Sequence, residues 1–203
     1  NLVVDAPNFC SKEVALKNFA NFHIADVDSL LPMGISNETL KYVSDHYCIV
    51  YGHVGALSGW MTNGNYGGYK KLGKTAEDAL DVYKMAYEYQ ENGMKAMTVE
   101  LTPGEVSAAI AKKLRIPVIG VASGCTGGDI DCDGYELVDF DTFNMMPSLA
   151  SHAKVYGDFF KFAVGGYKAW ADDVRNHVYP EEKHGWHMDP AELEKFMKEI
   201  EKF

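Results

Sequence analysis

A single carboxylate interrupts an otherwise apolar run at Glu100, which follows Met97, Thr98 and Val99 and precedes Leu101. A glutamate surrounded in this way is desolvated, so its proton affinity rises and it can accept a proton from carbon. Three more residues with useful chemistry stand at comparable places, at or just behind short β-branched runs. Asp5 follows Leu2, Val3 and Val4, Asp28 lies near the end of the run 25–30, and His53 sits in Gly52-His53-Val54-Gly55. Three carboxylates and an imidazole on one rim suit a hard divalent cation, magnesium before zinc, held by few protein oxygens while water or substrate completes the octahedron. Taken singly, each acid serves equally well as a helix cap or a solvated loop charge; their common position behind apolar runs is what favours a site. His53 either hydrogen-bonds a substrate oxygen or closes the rim.

Such residues need a frame that brings run ends together. Short β-branched runs at 2–4, 25–30, 48–51, 96–101, 117–122 and 136–140 read as strands. Between them, 11–22, 37–45, 76–92 and 103–114 carry apolar residues at three- and four-residue spacing and read as helices. Ser11, Ser36 and Thr75 stand where helix caps belong, with acidic residues just inside, and Gly93 closes the third helix. The alternation predicts βα units around a parallel sheet, an architecture that gathers functional residues at the carboxyl ends of its strands. From 148 onward the strand signal stops, and 150–175 and 190–203 read as helix around a loop at 179–188. The expectation is one domain over 1–203, with βα units to 147 and C-terminal helices over 148–203. Six strands are two short of the eight in a closed barrel, so two N-terminal βα units are expected to be missing from this chain. A doubly wound open sheet is the rival arrangement.

With 203 residues, 47% of them hydrophobic, the chain can bury one substantial core. A net charge of −10, with lysine and arginine scattered among acids, excludes the basic stripe that nucleic acid requires. No apolar run approaches the roughly 20 residues of a membrane helix, and the first residues lack the layout of a signal peptide, so a cytoplasmic protein is expected. Cys10, Cys48, Cys125 and Cys132 are dispersed and without zinc-knuckle spacing, which predicts free thiols. The glycine-rich stretches 64–70 and 123–128 match no phosphate-binding pattern and read as flexible loops. Tyr83, Tyr87 and Tyr89, like Phe159, Phe160 and Phe162, fall at helical spacing and read as core or subunit contacts. Leu193, Phe196, Met197 and Ile200 line one face of the last helix, suited to docking on the barrel or on a neighbouring subunit.

The words around these residues resemble a known family. Gly52-His53-Val54-Gly55, Gly67-Gly68-Tyr69-Lys70 with Gly73-Lys74, Val99-Glu100-Leu101-Thr102-Pro103, Ile116-Pro117-Val118-Ile119-Gly120, Cys132-Asp133-Gly134 and Val178-Tyr179-Pro180-Glu181-Glu182-Lys183-His184 are similar, in order and spacing, to ketopantoate hydroxymethyltransferase. The resemblance implies a TIM-type (β/α)8 barrel of the phosphoenolpyruvate/pyruvate-binding type. It implies Mg²⁺, the one-carbon donor 5,10-methylenetetrahydrofolate, the acceptor 2-oxoisovalerate and a homodecamer. By position it makes Asp5 a metal ligand that also meets substrate, places Asp28 where the family has a metal-associated glutamate, makes Glu100 the acid/base and sets His53 against the oxo acid.

The chain also departs from that pattern. It has no counterpart of the family's N-terminal Gly-Asp-Ser, it carries a longer glycine-rich loop over 123–131, and it reads Asp26-Val27-Asp28-Ser29-Leu30 where the family reads Lys-Ile-Glu-Gly-Gly. An aspartate in place of that lysine would repel a substrate carboxylate. Two alternatives therefore stand beside the transferase: a related magnesium-dependent barrel lyase or aldolase acting on another 2-oxo acid, and a non-catalytic barrel scaffold.

Overall fold

The computed structural model describes residues 2–6, 9, 11–56, 67–68, 70–146 and 150–202. The chain forms two compact units, Asn1–Val138 and Asp139–Phe203. In the first, β1 (Val3–Ala6), α1 (Lys12–Ile24), β2 (Ser29–Pro32), α2 (Asn37–Asp45), β3 (Tyr51–Gly55), α3 (Ala76–Glu91), β4 (Ala96–Glu100), α4 (Gly104–Lys113), β5 (Val118–Val121) and β6 (Gly134–Tyr135) follow one another. β1 pairs with β2, and β3, β4, β5 and β6 pair in that order, every pair parallel. A single parallel bridge, Leu30 to Val50, links the two groups. The α/β architecture with parallel strands is as expected. Among the described residues the strands do not close into a barrel.

The helices begin where local chemistry starts them. Ser11, Ser36 and Thr75 accept the backbone N–H of Val14, Thr39 and Asp78, which satisfies donors that the first turn leaves over. Their inner stripes meet one face of the sheets. Leu40, Val43, Ala86 and Ile110 from the helices, Val54, Met97, Val99 and Val118 from the strands and Val50 just before β3 are fully buried in a common core. At about 25 cal/mol per Å² of apolar surface, that layer is the main stabilising term of the unit. Gly52 belongs to it, because the sulfur of Met94 occupies the place where a Cβ would stand.

Three strands lie elsewhere than the apolar runs suggest. β2 covers Ser29–Pro32 instead of 25–30 because α1 unwinds through its first half: Asp26 is left-handed at φ 63°, and the N–H groups of Asp26 and Val27 still bond His23 and Phe22. β3 covers Tyr51–Gly55 instead of 48–51 because Tyr47, at φ 62°, and the Cys48 N–H bond to Val43 finish α2 first. β6 is confined to Gly134–Tyr135 instead of 136–140, and the end of that run, 139–140, opens a helical turn, α5 (Asp139–Thr142). Val138 and Phe140, whose apolar character suggests a strand, are exposed.

The second unit holds α5, α6 (Phe159–Arg175), a 3-10 turn (Glu182–His184) and α7 (Pro190–Ile200). α6 starts at Phe159, later than the expected 150, because Asp158 caps it by accepting the Lys161 N–H. No described residue of this unit is buried. The expected stripe on α7, Leu193, Phe196, Met197 and Ile200, is present and exposed. Among the described residues no helix is long and apolar enough to cross a membrane.

Candidate active site

Because side chains alternate along a strand, the residues between the core positions point to the opposite face. That face presents Tyr51, His53 and Gly55 from β3, Thr98 and Glu100 from β4, Ile119 and Val121 from β5, and Glu136 just beyond β6. It is the polar face of an apolar sheet. His53 lies opposite Thr98 in mid-strand, and Glu100 closes β4 opposite Gly55. The position of His53 behind a strand end, inferred from the run 48–51, is corrected here: the imidazole points inward from the middle of β3.

His53 and Glu100 meet. Nε2 lies 3.0 Å from Oε2, with side-chain exposures of 5% and 17%. The carboxylate is out of line with the ring N–H, and neither ring nitrogen makes an aligned hydrogen bond among the described residues. A buried imidazole without such bonds costs free energy on the order of 1–3 kcal/mol.

The backbone around the pair is strained. Gly55, Leu101 and Ala122 follow one another across the ends of β3, β4 and β5 with φ of 89°, 50° and 49°. At Gly55 a Cβ would stand 2.2 Å from the Glu100 carbonyl oxygen, so only glycine lets the chain pass. The same carbonyl accepts the Ala56 N–H, and the Leu101 N–H donates to Val121. Left-handed leucine and alanine cost about 1–3 kcal/mol each and persist where surroundings enforce them, commonly at functional sites. Behind them, Thr102 and Ser123 pair through their hydroxyls at 2.7 Å, both buried, and Ser123 donates to the Thr102 carbonyl, which staples the loops after β4 and β5.

A second polar group crosses the same face. Thr98 Oγ1, 2% exposed as a residue, donates to Glu136 Oε1 at 2.6 Å, and the Tyr51 hydroxyl lies 3.5 Å from the same Oγ1. Burial first, and then the Glu136 charge, push the Tyr51 phenol above its ordinary range, against the opposing effect of Thr98, so the group stays a neutral donor. Sequence reading singles out neither Tyr51 nor Glu136 and takes Thr98 only as part of an apolar run. A polar residue at alternate strand positions is the available signal, and the run 96–101 contains it.

Asp5 and Asp28 are not brought together. Asp5 is exposed in the carboxyl half of β1, opposite Leu31, whereas Asp28 precedes β2 and is level with Leu2. Three residues of parallel strand, about 10 Å, separate their levels. Asp28 binds the Leu2 N–H at 2.6 Å and so ties the amino ends of β1 and β2. With Asp26 it lines a pocket of about 500 Å³ at that end, beside Phe19, His23 and Cys48. Asp28 near the carboxyl end of its strand is therefore corrected, and Asp26 lies at the same amino end, away from Glu100. The carboxyl end of β2 carries Pro32 and Met33 in place of an acid. Among the described residues no three histidine, cysteine or acidic side chains group to hold a metal, and Asp5 with Asp28 does not fit a shared cation.

Cys48, Cys125 and Cys132 are free thiols; Cys10, residues 64–66, Tyr69 and Ser148 lie outside the described residues. Burial pushes the Cys48 and Cys132 thiols up, away from the reactive thiolate.

A family model described as ketopantoate hydroxymethyltransferase matches residues 2–182. A 3-methyl-2-oxobutanoate hydroxymethyltransferase of Nitrosopumilus maritimus is 30% identical over 98% of this chain and 71% of its own length. Another, from Methylibium petroleiphilum, is 30% identical over 86% of this chain and 58% of its own, and one from Hyperthermus butylicus is 37% identical over 66% and 45%. The chain thus spans about half the length of several curated relatives that it matches. Among solved structures, a dihydrodipicolinate synthase from Aquifex aeolicus overlaps 59% of this chain and 43% of its own at 16% identity, with a TM-score of 0.37, too low an overlap to bear on the site.

Proposed function

The chain belongs to the ketopantoate hydroxymethyltransferase family, and from that premise we propose that it adds a hydroxymethyl group from 5,10-methylenetetrahydrofolate to 2-oxoisovalerate, giving ketopantoate for pantothenate and coenzyme A synthesis. The observation that carries the proposal is the buried His53–Glu100 pair, 3.0 Å apart on the polar face of the sheet. Glu100 takes the C3 proton of the oxo acid; the C–H electron pair becomes a C2–C3 double bond, and charge collects on the C2 oxygen. His53, whose ring nitrogens lack aligned bonds, meets that oxygen or the neighbouring carboxylate. A donor held in place where charge develops lowers the barrier without reorganising. Water releases the one-carbon unit from the donor as formaldehyde, leaving tetrahydrofolate; the enolate carbon adds to the formaldehyde carbon, its C=O pair moves to oxygen, and that alkoxide takes the proton back from Glu100.

Magnesium, the cofactor that the family implies, would supply Lewis-acid stabilisation of the enolate. Since Asp5 and Asp28 stand at different levels of the β1–β2 pair, every step above uses side chains alone. The proposal extends to a cytoplasmic homo-oligomer, a decamer in the family, and to a closed eight-stranded barrel. Among the described residues β1 and β6 have one strand neighbour each, and closure requires partners for both.

The test is proton NMR of 2-oxoisovalerate in deuterium oxide with the full chain, with and without Mg²⁺ and without folate. Loss of the C3 proton signal that disappears in Glu100→Gln is the expected result. A folded protein that exchanges nothing, with or without metal, sinks the proposal.

A further inference from the structure

We propose that the pocket at the amino end of β2, where α1 and α2 both end, is a second binding site of this chain, and that it takes an organic ammonium ion, a cationic amine carried on an aryl or alkyl body. The pocket lies at the end of the strands away from Glu100, so the inference stands apart from the enolisation reading.

The cavity measures about 500 Å³, a size that suits a small organic molecule, whose sites span about 300–1,000 Å³. Its wall is apolar for a local reason. Leu16, Phe19 and Phe22 recur every three residues and share one side of α1, where they pack half-buried against the core, and Val27 and Leu30 close the wall behind them. Phe19 is held by an edge-to-face contact with Phe9, ring centroids 5.7 Å apart, so this part of the wall is in place before a ligand arrives.

The charge at this recess has one sign. Asp26 and Asp28 both line it, and among the described residues no lysine or arginine does. α1 and α2 end there through Ala25 and His46, and each helix end adds roughly half a negative charge. Neither last turn holds a lysine or arginine to offset it; His23 is the one basic residue of the two. Asp28 is fixed by the Leu2 N–H at 2.6 Å. Asp26 stands where α1 unwinds, left-handed at φ 63°, and no described residue pairs with its carboxylate.

An apolar wall with an anionic rim matches a ligand built the same way. The body of an arylalkyl amine leaves water against Phe19, Phe22 and Leu30, its ammonium donates to Asp26, and the phenyl faces of the wall also attract a cation. A neutral isostere keeps the first contribution and loses the others, and a carboxylate is repelled. A bare metal ion matches less well, because among the described residues no three ligating side chains group together. Cys48, half-buried in the same wall, reports whether the pocket is filled.

The experiment titrates the full chain at neutral pH with 2-phenylethylammonium and with two bodies of matched size, 2-phenylethanol and 3-phenylpropanoate, by isothermal calorimetry. In parallel, the rate at which N-ethylmaleimide alkylates Cys48 and Cys125 is followed by peptide mass spectrometry with and without the amine. The native chain is expected to bind the ammonium at least about tenfold more tightly than either analogue, and the amine to slow alkylation of Cys48 while Cys125 reacts as before. Asp26→Asn, which removes the charge and tolerates the left-handed backbone, should bring the ratio of amine to alcohol close to one. The native chain alone can overturn the inference, by binding the alcohol or the acid as tightly as the amine or by binding none of the three at millimolar concentration. A preference that persists in Asp26→Asn overturns it too, and so does binding that leaves Cys48 unprotected, since the amine then sits elsewhere.

Discussion

The two faces of the β3–β6 sheet come from the same strands and do opposite work. On one, Val54, Met97, Val99 and Val118 are completely buried against the helices. On the other, one residue away in each strand, stand His53, Thr98 and Glu100, with Tyr51 and Glu136 beside them. The first face is apolar at its buried centre and secures the fold. The second holds an imidazole whose ring nitrogens make no aligned bond, 3.0 Å from the Glu100 carboxylate, an arrangement that stability alone does not favour. Side-chain alternation in a parallel sheet thus separates stability from chemistry at single-residue resolution.

That separation breaks or holds on paired substitutions. On the polar face, Glu100→Gln is expected to lower C3 exchange about 10²- to 10⁴-fold, the range supplied by one general base, while thermal stability stays the same or rises. Exchange rates and melting temperature measured on one preparation check both halves. On the apolar face, Met97→Ala is expected to cost about 2–5 kcal/mol by denaturant unfolding, while exchange per folded molecule stays near native. Loss of stability in the first variant, or of intrinsic rate in the second, would dissolve the distinction.

Legibility in the sequence divides along the same line. α2 lies over Asn37–Asp45 as expected, because Ser36 caps it and its apolar stripe is local information. β4 and Glu100 are equally visible, since one acid among four apolar or β-branched neighbours is a local anomaly. The positions of His53 and Asp28 are not, because the left-handed residues Tyr47 and Asp26 prolong the helix ends into apolar runs that resemble strands. Tyr47 carries no turn signal, and Asp26, a residue type that tolerates the left-handed region, stands alone among apolar neighbours. The Thr98–Glu136 bond joins residues 38 apart, and only the register of three strands brings them to one face. Leu101 and Ala122 at positive φ likewise reflect tertiary packing at the strand ends and leave no trace in residue type.

The two ends of the β1–β2 pair extend the comparison at smaller amplitude. Asp28 ties the amino end through the Leu2 N–H, and Asp5 stands toward the other. Asp28→Ala is expected to lower stability by about 1 kcal/mol, the worth of one hydrogen bond, and to leave any Mg²⁺-induced rise in melting temperature as large as in the native chain. A metal response abolished by this substitution, followed by thermal unfolding across a Mg²⁺ titration, would return Asp28 to a shared cation site.

The smallest expected effect tests whether the polar face is dry enough to matter. Burial raises the Tyr51 phenol above its ordinary value of 10.0 in the folded chain, and the unfolded chain keeps the ordinary value. A group whose folded proton affinity is the higher one contributes stability that is fully present below the unfolded value and is lost as pH rises through the folded value. Stability of the native chain should therefore decline through a window that starts near pH 10, and Tyr51→Phe, which has no proton to lose, should show a shallower decline. Denaturant midpoints between neutral pH and pH 11 measure it. Parallel declines in the two proteins would mean that water reaches the phenol freely, and that the polar face around Tyr51, Thr98 and Glu136 is solvated.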